Sequence, residues 1–168
     1  MAFSINYDDL FHLAYFIIPA YVANGMPVLF RGGQPLDLGK SFFDGERIFG
    51  INKTTRGFIS GILLGSLVSL IMELILMRGL ALLGILVSLG SLLGDLFGSF
   101  LKRRLGLNPG SSLPLIDQLD FIVGALVITY PFYNFSIEMI LLVLLVTPPI
   151  HITANVIAYS LKIKDSFW

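Results

Sequence analysis

The chain has no cysteine, a single tryptophan, two histidines, and charge on only 13% of its residues. Without cysteine there is no disulfide framework, no thiolate metal site and no cysteine nucleophile. A soluble domain carries about 25% charged residues, so a soluble globular reading fails. The N-terminal stretch MAFSINYDDLFHLAYF lacks a basic n-region. It does not read as a cleaved signal peptide, and the first apolar run is expected to stay as a membrane span. The formal net charge is zero, so bulk charge says nothing about nucleic acid and the distribution of charge matters instead; no nucleic-acid partner is expected. No solenoid repeat or low-complexity tail is present. What remains is 168 residues, 55% of them hydrophobic, with a mean hydropathy of +0.85. This is the composition of an integral membrane protein.

A spanning helix needs about 20 mostly apolar residues. Five such segments occur, at about 10–30, 57–77, 80–101, 116–133 and 136–161. Pro19 and Asn24-Gly25 lie inside the first, and Pro148-Pro149 interrupt the last. The expected fold is an all-α membrane protein with five transmembrane helices in one domain over 1–168. Lys and Arg in short loops set orientation. Arg31, Lys40, Arg47, Lys53 and Arg56 lie in segment 31–56, Lys102, Arg103 and Arg104 in loop 102–115, and Lys162 and Lys164 in the tail. Of the eleven cations only Arg78 falls on the other side, with Asp8 and Asp9. The expected topology puts the N-terminus outside, the C-terminus in the cytoplasm, and both polar loops on the cytoplasmic face of the cell membrane.

Two glycine ladders, Gly57/Gly61/Gly65 and Gly90/Gly94/Gly98, repeat every four residues. Small residues at this spacing let helices approach closely in lipid. Asp95 stands beside the second ladder, inside an apolar run. Intramembrane charge is costly and marks function. Its plainer reading is a salt bridge to Lys102 or Arg103. Ser91, Asp95, Ser99 and Lys102 share one helical face.

Asp117 and Asp120, three apart at the start of the next apolar segment, also share a face, though acidic residues there can simply complement the helix dipole. Clustered carboxylates suit Mg²⁺, which keeps waters and substrate phosphates as further ligands. Lys and Arg bind phosphate oxygens. Carboxylates and cations at one membrane surface therefore read as Mg²⁺-dependent chemistry on a phosphorylated substrate. Segment 31–56 adds a second basic, glycine-punctuated surface whose backbone N–H groups can approach an anion. Gly33 to Ser41 imitates a P-loop but has five residues between its glycines and no preceding strand, so it is not one. His12 and His151 are lone histidines in apolar segments and read as satisfied interior groups. Asn155, one turn after His151, and Pro148-Pro149 before it make a polar break in the last span. Glu73 and Glu138 are expected at the outer interface.

Asp44-x-Glu46-Arg47-x-Phe49-Gly50-x-Asn52-Lys53-Thr54-x-Arg56-Gly57, Gly94-Asp95 with Lys102-Arg103, Pro109-Gly110, Asp117-Gln118-x-Asp120 and Thr147-Pro148-x-x-His151-x-x-x-Asn155 together resemble the archaeal CDP-archaeol synthases over nearly the whole chain. The second half also resembles the signature of phosphatidate cytidylyltransferases, with Gln118 where that signature has Arg. The resemblance implies transfer of a cytidylyl group from CTP to 2,3-bis-O-geranylgeranylglycerol 1-phosphate, an isoprenoid ether-lipid phosphate, with release of pyrophosphate and with Mg²⁺ as cofactor. It implies that Asp117, Asp120 and Asp95 organise the metal. Lys102 and Arg103, with Asp95, would act at the reacting phosphates. Lys40, Asp44, Arg47, Asn52, Lys53, Thr54 and Arg56 would form the CTP side, with the lipid tails lying between helices. CDP-alcohol transferases are a poorer match, since Asp44-Gly45-Glu46-Arg47 lacks their alanine and later aspartates. A small transporter using Asp95 and His151 is the alternative, weakened by the absence of duplicated halves. A structural subunit would not need so elaborate a loop.

Overall fold

A computed structural model describes residues 7–30 and 32–164 of the chain. The expectations for the first six residues, the Asp8 side chain and Arg31 fall outside the described residues. Five helices form where five spans are expected: α1 (Tyr7–Gly25), α2 (Thr55–Leu76), α3 (Ala81–Arg104), α4 (Ile116–Thr129) and α5 (Ile137–Ser160). Among the described residues there is no β-structure beyond isolated bridges Pro35–Thr54 and Ser41–Arg47. Helices α2, α3 and α5 are long and apolar enough to cross a membrane. Helix α4 has 14 residues, or about 21 Å at 1.5 Å per residue, short of the ~30 Å hydrocarbon core.

Three boundaries differ from the sequence expectation, each for a local reason. The first helix stops at Gly25 and passes into a 3-10 turn, Met26–Val28, with Pro27 inside it; proline cannot donate to a continuing ladder. Helix α3 runs on through Lys102, Arg103 and Arg104 instead of ending before them, because cations in a last turn complement the helix dipole. Helix α5 is not interrupted at Pro148-Pro149 but continues through both. Tyr21 Oη donates to the carbonyl of Thr147 at this point, at 2.9 Å, and Thr147 Oγ1 donates back to Val143 O at 2.6 Å.

The core is built from Tyr15, Phe16, Leu83, Val87, Phe121, Ile122 and Val143, all fully buried. Around it the glycine ladders set the helix spacing. A Cβ on Gly61 would come within 2.6 Å of Ala23 O, and one on Gly65 within 2.5 Å of Ser88 Oγ. A Cβ on Gly90 would meet Gly124 O at 2.7 Å. The first ladder thus joins α2 to α1 and α3, and the second joins α3 to α4, the most closely packed helix pair. The opposite face of α2, including Ile59, Leu63, Leu67 and Leu74, is exposed, as a face turned to lipid must be. At the far end, Glu73 is no idle interfacial group. It accepts from Gly79 N and Leu80 N, each at 2.8 Å, and from Tyr15 Oη at 3.2 Å, closing the tight α2–α3 turn.

Candidate active site

The polar loop before α2 is folded around one buried carboxylate, Asp37, only 4% exposed. Its oxygens accept from Gly39 N (3.0 Å), Phe49 N (3.2 Å), Gly50 N (3.0 Å) and the Arg47 guanidinium. Burial pushes the Asp37 carboxyl up. The hydrogen bonds from Arg47, Gly50, Gly39 and Phe49 outweigh that and hold it at about 2. The base of the loop is closed by Leu36 N to Lys53 O (2.8 Å) and Thr55 N to Gln34 O (2.9 Å). Thr54 then caps α2 by accepting from Gly57 N at 3.2 Å, a standard N-cap. The result presents Asn52, Lys53 and Thr54 toward α3.

A carboxyl whose folded value is depressed adds stability that is complete above its unfolded value, near 4. That stability is lost as pH falls through the folded value, about 2. For Asp37 this amounts to about 2 kcal/mol. Thermal melts should therefore show wild type more stable than Asp37→Asn at neutral pH, with the gap narrowing between about pH 4 and pH 2. A gap independent of pH would show that the Asp37 charge is not what holds the loop.

Beneath this loop lies a cavity of about 700 Å³, within the usual range for a small-ligand site. Its polar lining comes from α1 (Asn24), the loop (Asn52, Lys53, Thr54), α3 (Asp95, Lys102), α4 (Asp117, Asp120), α5 (His151, Asn155), and Lys164 beyond α5. The charges alternate. Lys53 Nζ stands 2.5 Å from Asp95 Oδ2, and Lys102 Nζ stands 2.8 Å from Asp117 Oδ1. Asp95 therefore pairs across the cavity with the loop, not with Lys102 or Arg103 on its own helix. Asp117 Oδ2 also accepts from Leu113 N at 3.0 Å, tying the α3–α4 loop to the start of α4. Asp120 has no ion pair among the described residues; one oxygen accepts from its neighbour Phe121 N at 2.6 Å. Its carboxylate lies in a notch where α3 has no side chain: a Cβ on Gly98 would collide with Asp120 Oδ2, and one on Gly94 with Asp120 O. On the far wall, Lys164 Nζ donates to Asn155 Oδ1 at 2.6 Å, and Asn155 Nδ2 lies 3.4 Å from His151 Nδ1.

Of the residues singled out by sequence, Asn52, Lys53, Thr54, Asp95, Lys102, Asp117 and Asp120 meet in this cavity, while Lys40, Asp44, Arg47, Arg56 and Arg103 do not line it. Lys40 and Arg56 are exposed. Arg47 is committed to Asp37, and Asp44 pairs with Arg104 Nε at 2.8 Å. Arg103 is 5% exposed, donates to Asn108 O at 3.0 Å and packs beneath Gly50. The cavity residues not placed in the site by sequence are Asn24, His151, Asn155 and Lys164; Asp37, which shapes the loop above them, is likewise not singled out by sequence. The i, i+4 spacing of His151 and Asn155 was the available signal for that pair. Nothing in the sequence distinguishes Asp37, whose partners are mostly backbone amides.

Among the described residues no three acidic or histidine side chains stand close enough to hold an ion by themselves. The donors nevertheless suit a hard divalent cation that takes few protein ligands and completes its shell with water and substrate oxygens. They are carboxylate oxygens, and Asp120 forms no ion pair among the described residues.

The chain matches the model of the CarS-like, CDP-archaeol synthase family over residues 6–168. It is 45% identical over 166 residues to a CDP-archaeol synthase of Methanococcus aeolicus, covering 91% of this chain and 93% of that one. It is 42% identical over 175 residues to one from Methanocaldococcus jannaschii (96% and 99%), and 45% identical over 159 residues to one from Pyrococcus furiosus (92% and 95%). A solved structure described as an intramembrane enzyme for archaeal membrane lipids biosynthesis superposes with a TM-score of 0.81 at 34% identity. That match spans 87% of this chain and 94% of the other. With the helical architecture and the charged cavity at one end of it, these similarities establish that the chain belongs to the CDP-archaeol synthase family.

Proposed function

We propose that this protein transfers a cytidylyl group from CTP to the phosphate of 2,3-bis-O-geranylgeranylglycerol 1-phosphate, forming the CDP-linked lipid and pyrophosphate. The reading rests on one observation above the others: ammonium and carboxylate groups alternate in one cavity at the end of helices whose outer faces are apolar. The lipid phosphate oxygen attacks the α-phosphorus of CTP, and the bond to the bridging oxygen of the β-phosphate breaks. Pyrophosphate carries the departing electron pair away. No side chain needs to act as a nucleophile, which suits a chain without cysteine. The work is positioning and charge neutralisation.

In this scheme Lys53 and Lys102 would turn from Asp95 and Asp117 toward substrate phosphate oxygens, and those carboxylates with Asp120 would supply the few protein oxygens that Mg²⁺ needs beside water and phosphate. The ion would supply further neutralisation of the triphosphate. Asn52 and Thr54 line the loop side of the nucleotide space, and the lipid tails lie along the apolar helix faces. Arg47, Asp44 and Arg103 serve the frame on which this space is built. The cavity lies at the end bearing Lys102 and Lys164, the side that the charge asymmetry assigns to the cytoplasm of the cell membrane, where CTP is available.

Purified protein with Mg²⁺ is expected to release pyrophosphate from CTP only when the ether-lipid phosphate is added, and to be inactive with the lipid alcohol. Pyrophosphate release from CTP alone, at the same rate, would replace this reading with a nucleotide hydrolase.

A further inference from the structure

The loop over the cavity carries a feature that the cytidylyl-transfer scheme does not use. Phe43, at the tip of the hairpin 41–47, is 98% exposed, although its neighbours Asp44, Gly45 and Glu46 are of the polar kind expected at a solvent-facing tip. The exposure is built in, because the hairpin is fastened to the end of α3 from several sides. Arg104 Nη2 donates to the carbonyls of Glu46 (3.2 Å) and Arg47 (2.7 Å), and its Nε pairs with Asp44 at 2.8 Å. The same guanidinium lies 4.8 Å from the ring centres of both Phe42 and Phe100, a favourable cation–ring arrangement.

The rings form a continuous row. Phe43 to Phe42 is 4.9 Å, Phe42 to Phe100 is 5.3 Å, and Phe100 to Phe97 is 6.5 Å between centroids. The row ends on the outer flank of α3, where Phe97 and Leu93 are exposed on a helix long and apolar enough to cross the membrane. The cations of its last turn mark where it reaches the headgroups. Phe100 lies one turn inside Arg104, about 6 Å deeper along the helix. Phe42, edge-on against Phe100, is held at that level, with Phe43 beside it. Trp and Tyr are enriched at this depth, between headgroups and acyl chains, and Phe is among the side chains that interfacial segments bury there.

We propose that the tip of the 41–47 hairpin is a membrane-interface anchor, with Phe42 and Phe43 seated in the lipid beside the end of α3. The cover over the cavity then rests on the bilayer as well as on the helices. The occupant of this surface is lipid, because the aromatic row runs without a break from the loop onto a lipid-facing helix flank.

The test uses the full chain in lipid nanodiscs, with Trp168, its one tryptophan, replaced by phenylalanine and Phe43→Trp introduced as reporter. Phe97→Trp in the same background is the lipid-facing reference. The expected result is emission shifted to shorter wavelength and loss of intensity when lipids brominated on their acyl chains are used, as for the reference. Long-wavelength emission without bromine quenching overturns the proposal. So does short-wavelength emission without quenching, which would mean that a second copy or another part of the protein covers the ring. The lack of native cysteine permits a second measurement that does not depend on tryptophan: a nitroxide attached at Phe43→Cys should relax more readily with oxygen than with a water-soluble nickel complex. The reverse preference overturns the proposal as well.

Discussion

Asp120→Asn is expected to lower cytidylyl transfer by at least about 10²-fold, the scale of loss when a charge-stabilising group is taken from a preorganised site. The reason lies in how the three cavity carboxylates differ. Asp95 and Asp117 are each held by a lysine, while Asp120 forms no ion pair among the described residues. It is the carboxylate most available to an ion bound with the triphosphate. Asparagine keeps its shape and most of its packing against Gly98, so folding should be preserved and the melting temperature little changed. Asp117→Asn should behave differently, because Asp117 also accepts from Leu113 N and pairs with Lys102. That variant should lose stability together with turnover. The measurement is turnover of labelled CTP across a Mg²⁺ titration, with melting curves alongside. Wild-type-like turnover in both Asp117→Ala and Asp120→Ala would remove the metal assignment altogether.

The second large effect is expected from a residue with no side chain. In Gly98→Ala the new methyl would overlap the Asp120 carboxylate, and one of the two must move. Overpacking of this kind costs about 1–3 kcal/mol. Because the displaced group is the proposed metal ligand, turnover of the folded fraction should fall about as far as in Asp120→Asn. Gly65→Ala is the comparison: its Cβ would press on Ser88, 2.5 Å from Oγ, away from the cavity lining. It should destabilise the protein by a similar amount yet leave the folded fraction active. Pairing Gly98→Ala with Asp120→Ser should recover stability without recovering turnover. If Gly98→Ala is as active per folded molecule as Gly65→Ala, the second ladder is only a packing device.

Much of the architecture was legible because lipid leaves few choices. A chain with this little charge and this many long apolar runs must satisfy its backbone within helices, and the five segments follow. The lopsided lysines and arginines suggest an orientation for the same electrostatic reason. Glycines at every fourth position announce close helix contacts, and these occur at Gly61, Gly65 and Gly90. Asp95, Asp117 and Asp120 could be singled out because a carboxylate in or beside an apolar run is too costly to be casual.

What the sequence could not rank was the loop. Lys40, Asp44, Arg47, Lys53 and Arg56 look alike as cations and carboxylates on a glycine-rich segment, yet only Lys53 among them reaches the cavity. That choice depends on Asp37, which gathers Arg47 and three backbone amides from residues up to thirteen positions away. Pairings of that range belong to the folded loop and leave no periodicity to read. The same holds for the partner of Asp95. Helical spacing offered only Lys102 or Arg103 on its own helix as a partner, but the ion pair forms with Lys53, 42 residues distant, because the loop is laid over the end of α3. The sequence by itself therefore determined that this is a helical membrane protein with charge concentrated at one face. Only the tertiary structure decided which charges meet, because opposite charges far apart in sequence come within a few ångströms only after the helices have packed and the loop has closed over them.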